Sequence, residues 1–490
     1  MKINILEQDL SLFKIWIFSF LYTGMVSASI QLVILPYIFP SLHYGDGLLN
    51  GALDSIGLHM AGIELAEKIR KEGWHAWELL YHNNPTSGIV GAVYALSFPK
   101  PWTLIPINSA LHATSTLLLF LVVNNLIDSK KKALLCVLPF LFYPTAMTWY
   151  TQILKDGFAI AGTFFLIYGI LLLTKNDFKG KICIAFFIFV TLGIVVVFIM
   201  RPYLVTVTKF IYLSNAVFLV LFSLKKIQKK QAPYKQELLR LFAIGIIFFV
   251  IYPYTTVAIK EILNDSNSRN IIREVNLGEN LSLLSKNTDK PSSGTPDETL
   301  SKNTDKPSSG TPESTDKTLP MIFSTNPYKN KYIASLLRSR QGFSSSGGKT
   351  LVDKDVIFND IFDFIKYLPR LFEISFFSPF PSQWFGEGSF PANTLQRRIV
   401  GIEMIGVYFS YIFLPYAFYK WRKRIEFWSI LSFCSSITLL MGFIVLNVGT
   451  LHRLRYGFLM PIVTLGIAGF IMARDDFLNK KTLKRLIRTD

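Results

Sequence analysis

Apolar runs of transmembrane length recur along this chain, and they limit its possible folds more than any other feature. Of the 490 residues, 51% are hydrophobic. Several runs reach about 20 residues, the length at which a helix crosses the hydrocarbon core of a bilayer. Because backbone polar groups in lipid must be satisfied internally, such runs become helices. We therefore predict an all-α polytopic membrane protein with about ten transmembrane helices. We place them at residues 14–39, 103–127, 133–149, 157–174, 182–200, 204–224, 241–260, 398–419, 427–448 and 457–473.

The distribution of basic residues predicts how these spans are oriented. With the N-terminus inside, the predicted cytoplasmic segments carry 24 Lys and Arg residues, whereas the short outer loops at 149–156, 201–203 and 449–456 carry four. This asymmetry follows the positive-inside rule and predicts that both termini are cytoplasmic. Because the net charge of +18 then reflects topology, we expect a lipid bilayer and no nucleic acid among the partners. The expected location is the inner (plasma) membrane of a bacterium.

The spans predict two membrane modules separated by a long outer segment. Residues 1–260 form the N-terminal module, which includes a first outer loop at 40–88. Residues 398–490 form the C-terminal module, which ends in a basic cytoplasmic tail. Both modules contribute short outer turns, so residues from distant parts of the chain can meet on the outer face.

The long outer segment has two parts of different composition. Residues 261–331 are polar and contain a tandem repeat, in which LSKNTDKPSSGTP recurs with a period of 16 residues over 284–312. Such a tract cannot bury enough apolar surface to offset its ordering entropy, so we predict a disordered loop. Residues 332–397 regain aromatic and apolar residues, and we predict a structured element on the outer membrane surface. Its helical spacing is interrupted at Leu368-Pro369.

The first outer loop carries the clearest chemical signal. Turn-forming glycines surround Asp46, and from Leu53 apolar residues recur at three- and four-residue steps. This spacing predicts a helix over 54–72 that lies along the membrane interface. Asp46 and Asp54 therefore stand where the chain leaves the bilayer, and a carboxylate there can take a proton from an attacking hydroxyl group. The structural alternatives are a helix-capping role for Asp54 and a turn role for Asp46.

Other charged residues are predicted to lie at the same face and depth. Arginine suits the departure of a phosphate, because its planar fork can bind two oxygens at once. The sequence contains no GxxxxGK[ST] or GxGxxG motif for a soluble nucleotide, which favours a lipid-linked donor reaching the site from the bilayer. The candidate substrate-binding residues are Lys155, Asp156, Arg201, Arg340, Arg453, Arg455 and Tyr456.

The pattern resembles the GT-C superfamily of integral membrane glycosyltransferases. The resemblance rests on Asp54 within LDSIGLHMAG, on the helix at 54–72 that follows it, and on Arg455-Tyr456 with Pro461 before a late span. It covers the membrane core, roughly 14–260 and 398–473. It implies a polyprenyl-phosphate sugar as donor, a glycan, lipid or protein as acceptor, and Asp54 as general base, with Asp46 as the second choice.

Two other functions remain open at this point. A polysaccharide polymerase or ligase would use the arginines of the large outer loop, Arg338 and Arg340, and would not need Asp54. A transporter or flippase of lipid-linked glycans belongs to a different class. Against it, the sequence has few ionisable groups at mid-membrane, where carriers usually place their sites.

No cofactor is predicted, although acidic outer residues leave a divalent metal open. The first outer loop contains four histidines, but their spacings match no common ligand pattern, so we predict no histidine metal site. All three cysteines fall inside predicted spans, which excludes a disulfide framework in the outer loops. The histidines are His43, His59, His75 and His82, and the cysteines are Cys136, Cys183 and Cys434.

Overall fold

The structure, a computed structural model, describes most of the two membrane modules. It covers residues 11–201 except 128 and 176, and residues 361–486 except 389. Residues 350–358 and shorter pieces within 215–261 and 336–343 are also described. The tandem repeat and Arg338 lie outside the described residues.

The regular secondary structure of the described chain consists of helices and one short hairpin at residues 43–49, with an isolated bridge between Leu351 and Asn447. The hairpin pairs β1 (His43–Gly45) with β2 (Leu48–Leu49) in antiparallel fashion. The helices are α1 (Leu12–Ser29, continued as a π-helix over Ile30–Ile38), α2 (Leu53–Glu72), α3 (Pro85–Leu96), α4 (Ile105–Asn124), α5 (Lys130–Phe142), α6 (Pro144–Tyr150), α7 (Asp156–Thr174), α8 (Gly180–Met200), α9 (Tyr234–Ile246), α10 (Ile361–Phe377), α11 (Pro391–Trp421), α12 (Ile425–Ile444) and α13 (Val448–Leu486).

Among the described residues, eight helices are long and apolar enough to cross a membrane, and the bent pair α5–α6 could form a ninth span. The prediction of an all-α polytopic membrane protein is therefore confirmed. The predicted sixth span, 204–224, lies largely outside the described residues. The eight spans are Leu12–Ile38, Pro101–Asn124, Asp156–Thr174, Gly180–Met200, Tyr234–Thr255, Pro391–Trp421, Ile425–Ile444 and Val448–Asn479.

Two helices differ from their predicted form. The predicted third span, 133–149, is divided into α5 and α6, which meet at an angle of 62°. Tyr143 has an extended backbone before Pro144, as expected when a proline ring excludes the α-conformation from the preceding residue. Conversely, α10 does not stop at Leu368-Pro369 but continues through the proline to Phe377. A proline removes one helical hydrogen bond, and the buried side chains of Leu371 and Ile374 offset that loss.

Small residues bring the membrane helices into close contact. A Cβ atom on Gly169 of α7 would lie 2.4 Å from the side chain of Val190 on α8. A Cβ atom on Gly466 of α13 would lie 2.2 Å from the backbone oxygen of Ser410 on α11. Close approach of backbones is the usual means by which helices associate in lipid, where no hydrophobic force drives them together.

Helices α2 and α3 form a packed pair. A Cβ atom on Gly62 of α2 would lie 2.3 Å from Val90 of α3, so the two helices touch through small residues. The guanidinium of Arg70 donates hydrogen bonds to the backbone oxygens of Tyr94 (2.5 Å) and Ser97 (2.9 Å), which ties the two C-terminal ends together. This pair holds the start of α2, and therefore Asp54, in a fixed position.

Candidate active site

A cavity of about 490 Å³ lies where the N-terminal ends of three helices meet. Each helix N-terminus carries a partial positive charge, since its first backbone N–H groups have no partner within the helix. The three ends contribute Leu53, Asp54 and Ser55 of α2, then Ala392, Asn393, Leu395 and Gln396 of α11, and Val448, Gly449, Thr450, His452 and Arg453 of α13. Such convergence favours an anionic group in the cavity.

The start of α2 is fixed by the hairpin that precedes it. Gly47 has a positive φ of 81°, and a Cβ atom there would lie 2.8 Å from the backbone oxygen of Gln31, so the position requires glycine. The side chain of Gln152 accepts a hydrogen bond from the Leu49 amide (3.0 Å) and donates one to the Gly47 oxygen (3.2 Å). The hairpin is thus held between α1 and the turn after α6.

The start of α13 is fixed by Asn447 and by the second outer segment. The side-chain oxygen of Asn447 accepts hydrogen bonds from the amides of Gly449 (3.1 Å) and Thr450 (3.2 Å), which is a helix N-cap. Residues 350–352 pair with 446–448 through two backbone hydrogen bonds of 3.1 Å. Residues 350–352 therefore pack against the start of α13 and help to close the cavity.

Asp54 and Arg453 form an ion pair in the cavity wall. They lie 399 residues apart in sequence, and the Arg453 guanidinium donates a hydrogen bond of 3.0 Å to the Asp54 carboxylate. The Asp54 side chain is 61% exposed and the Arg453 side chain is 26% exposed, so a ligand in the cavity could reach both. The pair joins the start of α2 to the start of α13.

Behind this pair lies a second, buried pair. Asp156 accepts a hydrogen bond from Arg201, and both side chains are almost fully buried. The other carboxylate oxygen of Asp156 is 3.7 Å from Nε of Arg453. Removing one partner of a buried pair typically costs about 3–5 kcal/mol, since the other charge is left uncompensated. Asp156 and Arg201 therefore hold Arg453 from behind.

Lys155 completes the cluster and is electrostatically coupled to all four charges. Burial lowers the pKa of the Lys155 ammonium group, and repulsion from Arg201 and Arg453 lowers it further, whereas Asp156 and Asp54 raise it. The cluster contains three cations and two carboxylates, so its formal charge is +1 when all groups are ionised. A net positive cluster next to three helix N-termini is suited to binding a phosphate.

Asp46, the other predicted catalytic residue, lies away from the cavity. It occupies the hairpin turn with a positive φ of 52°, and Lys100 donates a 2.7 Å hydrogen bond to its carboxylate. Its second oxygen is 3.7 Å from Nε2 of His59. Burial lowers the pKa of His59, and Asp46 opposes that shift. These contacts tie the hairpin to α2 and to the segment before α4.

Arg455 and Arg340 do not lie at the cavity either, and their geometry does not support the predicted substrate-binding role. The Arg455 side chain is fully buried and donates to the backbone oxygens of Ile374 (3.0 Å), Ser375 and Ser378. Ile374 and Ser375 belong to the last turn of α10. The Ile374 oxygen also accepts from the amide (3.4 Å) and hydroxyl (2.6 Å) of Ser378, whereas Pro379 cannot donate to the Ser375 oxygen. Arg340 donates to the backbone oxygens of Phe443 (2.6 Å) and Asp353 (3.0 Å).

Tyr456 is also part of the packed interior. Its side chain is fully buried, and its ring contacts Trp149 edge-on, with ring centroids 4.9 Å apart. Trp149 lines the cavity, so Tyr456 supports the wall from behind without reaching the cavity itself.

Several cavity residues were not among the predicted site residues. Trp149, Gln152, Asn447 and His452 line the cavity, and so do the first turns of α11. His452 directly precedes Arg453, so adjacency to a candidate arginine was the available signal. Within the described ranges, no group of three or more His, Cys, Asp or Glu side chains could hold a metal ion.

Comparisons of the chain with protein-family models, curated proteins and solved structures gave no match.

Proposed function

We propose that this chain is a membrane glycosyltransferase of the GT-C type. It transfers a sugar from a polyprenyl-phosphate-linked donor to a hydroxyl group on a glycan, lipid or protein acceptor, on the extracytoplasmic face. The observation that carries the proposal is the exposed Asp54 carboxylate, which lies in a cavity formed by three helix N-termini and paired with Arg453. A general base and an anion-binding environment are the two features that this transfer requires.

The donor phosphate binds at the positive end of the cavity. Three helix N-termini and the guanidinium of Arg453 stabilise its charge, which increases as the bond to the sugar breaks. Arg453 is kept at this place by the buried Asp156–Arg201 pair. Preorganised cations cost no reorganisation at the moment of reaction, and this is why the buried pair matters for the rate.

Asp54 serves as the base in this step. The acceptor oxygen attacks the anomeric carbon, and the bond from that carbon to the phosphate oxygen breaks. The polyprenyl phosphate leaves with the electron pair, while the acceptor proton moves to the Asp54 carboxylate. The side chain is exposed to the cavity and is held by a single hydrogen bond from Arg453 in the described contacts, so an acceptor hydroxyl can approach it.

The apolar side of the cavity supports a lipid-linked donor. Leu395, Ile399 and Val400 of α11 line the cavity. One turn further along α11, Ile402 is 71% exposed. An apolar wall that continues onto the exposed surface of a membrane helix gives a prenyl chain a path from the bilayer to the phosphate position.

The polymerase or ligase alternative receives less support. A polymerase or ligase that used Arg340 would need its guanidinium free, whereas that group is buried against two backbone oxygens and three aromatic rings. A transporter is distinguished from an enzyme by two measurements, sugar transfer by the purified protein and movement of labelled donor across proteoliposome membranes.

The test uses purified full-length protein with a panel of short-chain polyprenyl-phosphate sugars and membrane-derived acceptors. We expect sugar transfer and release of polyprenyl phosphate by the parent protein. The N-cap of α2 is Ala52, so Asp54 does not cap the helix. Asp54→Asn keeps the size of the side chain but cannot accept a proton, so it is expected to fold normally and to lose about two to four decades of rate.

Asp46→Asn is the matched control, because it makes the same chemical change outside the cavity. It is expected to retain measurable transfer. A fully active, normally folded Asp54→Asn protein would contradict the proposed role of Asp54 as general base. Movement of labelled donor across proteoliposome membranes without any transfer would instead identify a transporter.

A further inference from the structure

The exposed side of α10 carries an apolar stripe that the candidate site does not use. Four large apolar side chains are between 42% and 65% exposed there, those of Phe362, Ile365, Leu368 and Phe372. They recur at three- and four-residue steps, so they lie on one face of the helix. Large apolar side chains that form one continuous patch on a protein surface indicate a contact with lipid or with another protein.

Three faces of α10 have different surroundings, and their directions follow from the helical repeat. The side chains of Tyr367, Leu371 and Ile374 are buried. Successive residues turn by about 100° around an α-helix, so the apolar stripe points away from this buried face. A polar face lies between the two along one side of the helix. It consists of Asp363, Lys366, Arg370 and Glu373.

The buried face packs against the membrane span α12. The ring of Phe364 contacts the ring of Phe443 edge-on, with centroids 5.5 Å apart. The hydroxyl of Ser375 donates a hydrogen bond of 3.5 Å to the backbone oxygen of Leu439. Because Leu439 and Phe443 belong to the last two turns of this span, α10 lies level with the end of the span. A face directed away from the bundle at that level is directed toward lipid.

The C-terminal end of α10 provides a second, independent observation. The last carbonyl oxygens of a helix have no partner within the helix, and at an exposed end they bind water. At residues 374–379, each backbone oxygen instead accepts a hydrogen bond from a protein side chain. The hydroxyls of Tyr408 and Tyr411, on span α11, donate over 2.6 Å and 3.1 Å, and Arg455 of span α13 also donates. Replacement of water by protein donors is required where a helix end lies in lipid.

The polar face of α10 is joined to a segment outside the spans. The guanidinium of Arg370 donates hydrogen bonds of 3.1 Å to Asp353 and 2.8 Å to Glu373. Asp353 lies in the described segment 350–358, which belongs to none of the candidate spans. The polar face is therefore directed toward the membrane surface and the apolar stripe toward the acyl chains, which is the usual orientation of an amphipathic helix in a bilayer interface.

We propose that α10 is immersed in the bilayer interface and that its apolar stripe contacts the acyl chains of lipids on the cavity side of the membrane. This inference does not rest on the proposed function. It goes beyond the surface element predicted from the sequence, because it assigns the lipid contact to one face of one helix. Pro379, two residues after α10, lines the cavity, so the contact places that cavity at the depth of the lipid headgroups.

The experiment measures depth with a fluorophore attached to single cysteines of the full-length protein, reconstituted into vesicles of phosphatidylethanolamine and phosphatidylglycerol. Cys136 and Cys434 are buried, and Cys183→Ser removes the remaining native thiol from the labelling reaction. Ile365→Cys and Phe372→Cys place the label on the apolar stripe. Quenching by lipids with a nitroxide on the acyl chain is compared with quenching by iodide in the water.

Lys366→Cys and Glu373→Cys are the matched controls, because these exposed residues lie on the polar face of the same helix. The ratio of lipid quenching to iodide quenching is expected to be at least about threefold higher on the stripe, since the apolar face of such a helix reaches about 5–10 Å into the boundary of headgroups and acyl chains. Equal ratios at all four positions would overturn the inference. Stripe labels protected from both quenchers, with cross-links between stripe cysteines of two copies, would identify a second copy of this chain as the partner and would also overturn it.

A second measurement uses the unaltered chain, so it does not depend on the folding of any variant. Phospholipids that carry a photoactivated diazirine on the acyl chain are incorporated into the same vesicles, and the adducts are located by mass spectrometry. Adducts are expected on residues 362–372 and on the membrane spans, but not on residues 350–356. Labelling of the spans without labelling of 362–372 would show that the stripe does not contact acyl chains.

Discussion

Arg453 and Arg455 lie two residues apart on α13, yet their surroundings differ completely. Arg453 is 26% exposed, lines the cavity and contacts the carboxylates of Asp54 and Asp156. Arg455 is fully buried, and in the described contacts its guanidinium donates to backbone oxygens and to the Ser378 hydroxyl. On a helix, residues two apart point in nearly opposite directions, which explains the divergence.

The difference shows how to separate a candidate functional arginine from a structural one. A guanidinium bound to the unpaired carbonyls of a helix end already has partners that no substrate can replace. A guanidinium shared between carboxylates at a cavity surface can exchange a partner for an incoming phosphate. By this criterion Arg453 belongs to the candidate site and Arg455 to the scaffold, although the family resemblance pointed to Arg455.

Replacing each arginine with methionine removes its charge and tests the two roles directly. Arg455→Met would leave the backbone oxygens of Ser375 and Ser378 without their donor in the described contacts, whereas the Ile374 oxygen keeps the amide and the hydroxyl of Ser378. We expect a loss of about 3 kcal/mol or more in the free energy of unfolding, since each unsatisfied buried group costs about 1–3 kcal/mol. Arg453→Met is the control, and because its side chain is partly exposed we expect a stability change below about 1 kcal/mol.

Thermal unfolding of both variants can be followed with a thiol-reactive fluorophore. Cys136 and Cys434 are buried in the folded protein, so they react when the bundle opens. A normal unfolding temperature for Arg455→Met, together with lost donor binding, would reverse the assignment and return Arg455 to the site.

The second prediction concerns the activity of Arg453 variants. Loss of its guanidinium is expected to lower the transfer rate about 10²- to 10³-fold, as for other preorganised groups that stabilise transition-state charge. Arg453→Lys keeps the charge without the planar fork and is expected to recover only part of the rate. Full recovery by lysine would show that the positive charge at position 453 is sufficient and that the planar guanidinium is not required. The rates are compared with short-chain polyprenyl-phosphate sugars as donors.

The topology made part of the candidate site predictable. Charged residues at the ends of apolar runs must emerge at a membrane face, so Asp54, Lys155, Asp156, Arg201 and Arg453 were expected on one side. The structure brings these five together. The all-α membrane fold was predictable for a related reason, since the length of an apolar run is a direct physical constraint.

The remaining assignments depended on contacts that no sequence pattern reveals. Arg455 and Arg340 bind carbonyls at the ends of α10 and α12, and which carbonyls lack partners is known only once both helix ends are placed. The continuation of α10 through Pro369 depends on its packing, which outweighs one missing hydrogen bond. The position of Trp149 and His452 in the cavity wall required α6 and α13 to be adjacent.

The third prediction tests the charge of the cluster through pH. Burial and two neighbouring arginines lower the pKa of Lys155 below the ordinary lysine value. As pH rises through this lowered pKa, the cluster loses one positive charge, so donor affinity is expected to fall at a lower pH than an ordinary lysine would produce. Lys155→Arg stays charged throughout and is expected to abolish this decline. An identical decline in Lys155→Arg would exclude Lys155 as its cause.

The last prediction has the smallest expected effect and compares two carboxylates, those of Asp54 and Asp46. Asp54 faces the cavity, whereas Asp46 lies between Lys100 and His59, outside the cavity. Titration of His59 is therefore expected to change stability and to leave the transfer reaction unaffected. The pKa of His59 is lowered in the folded protein by burial. Between that lowered pKa and the ordinary histidine value of about 6.5, the unfolded chain binds a proton that the folded protein does not.

Stability is therefore complete above about pH 6.5 and declines as pH falls through this window. His59→Gln removes the titrating group and is expected to flatten this part of the unfolding-temperature profile. Asp46→Asn removes the contribution that raises the His59 pKa, so its decline is expected to be steeper than in the parent protein. A profile that stays unchanged in both variants would show that the Asp46 contacts do not stabilise the hairpin. The transfer rate at neutral pH is expected to change little in either variant, because both residues lie outside the cavity wall.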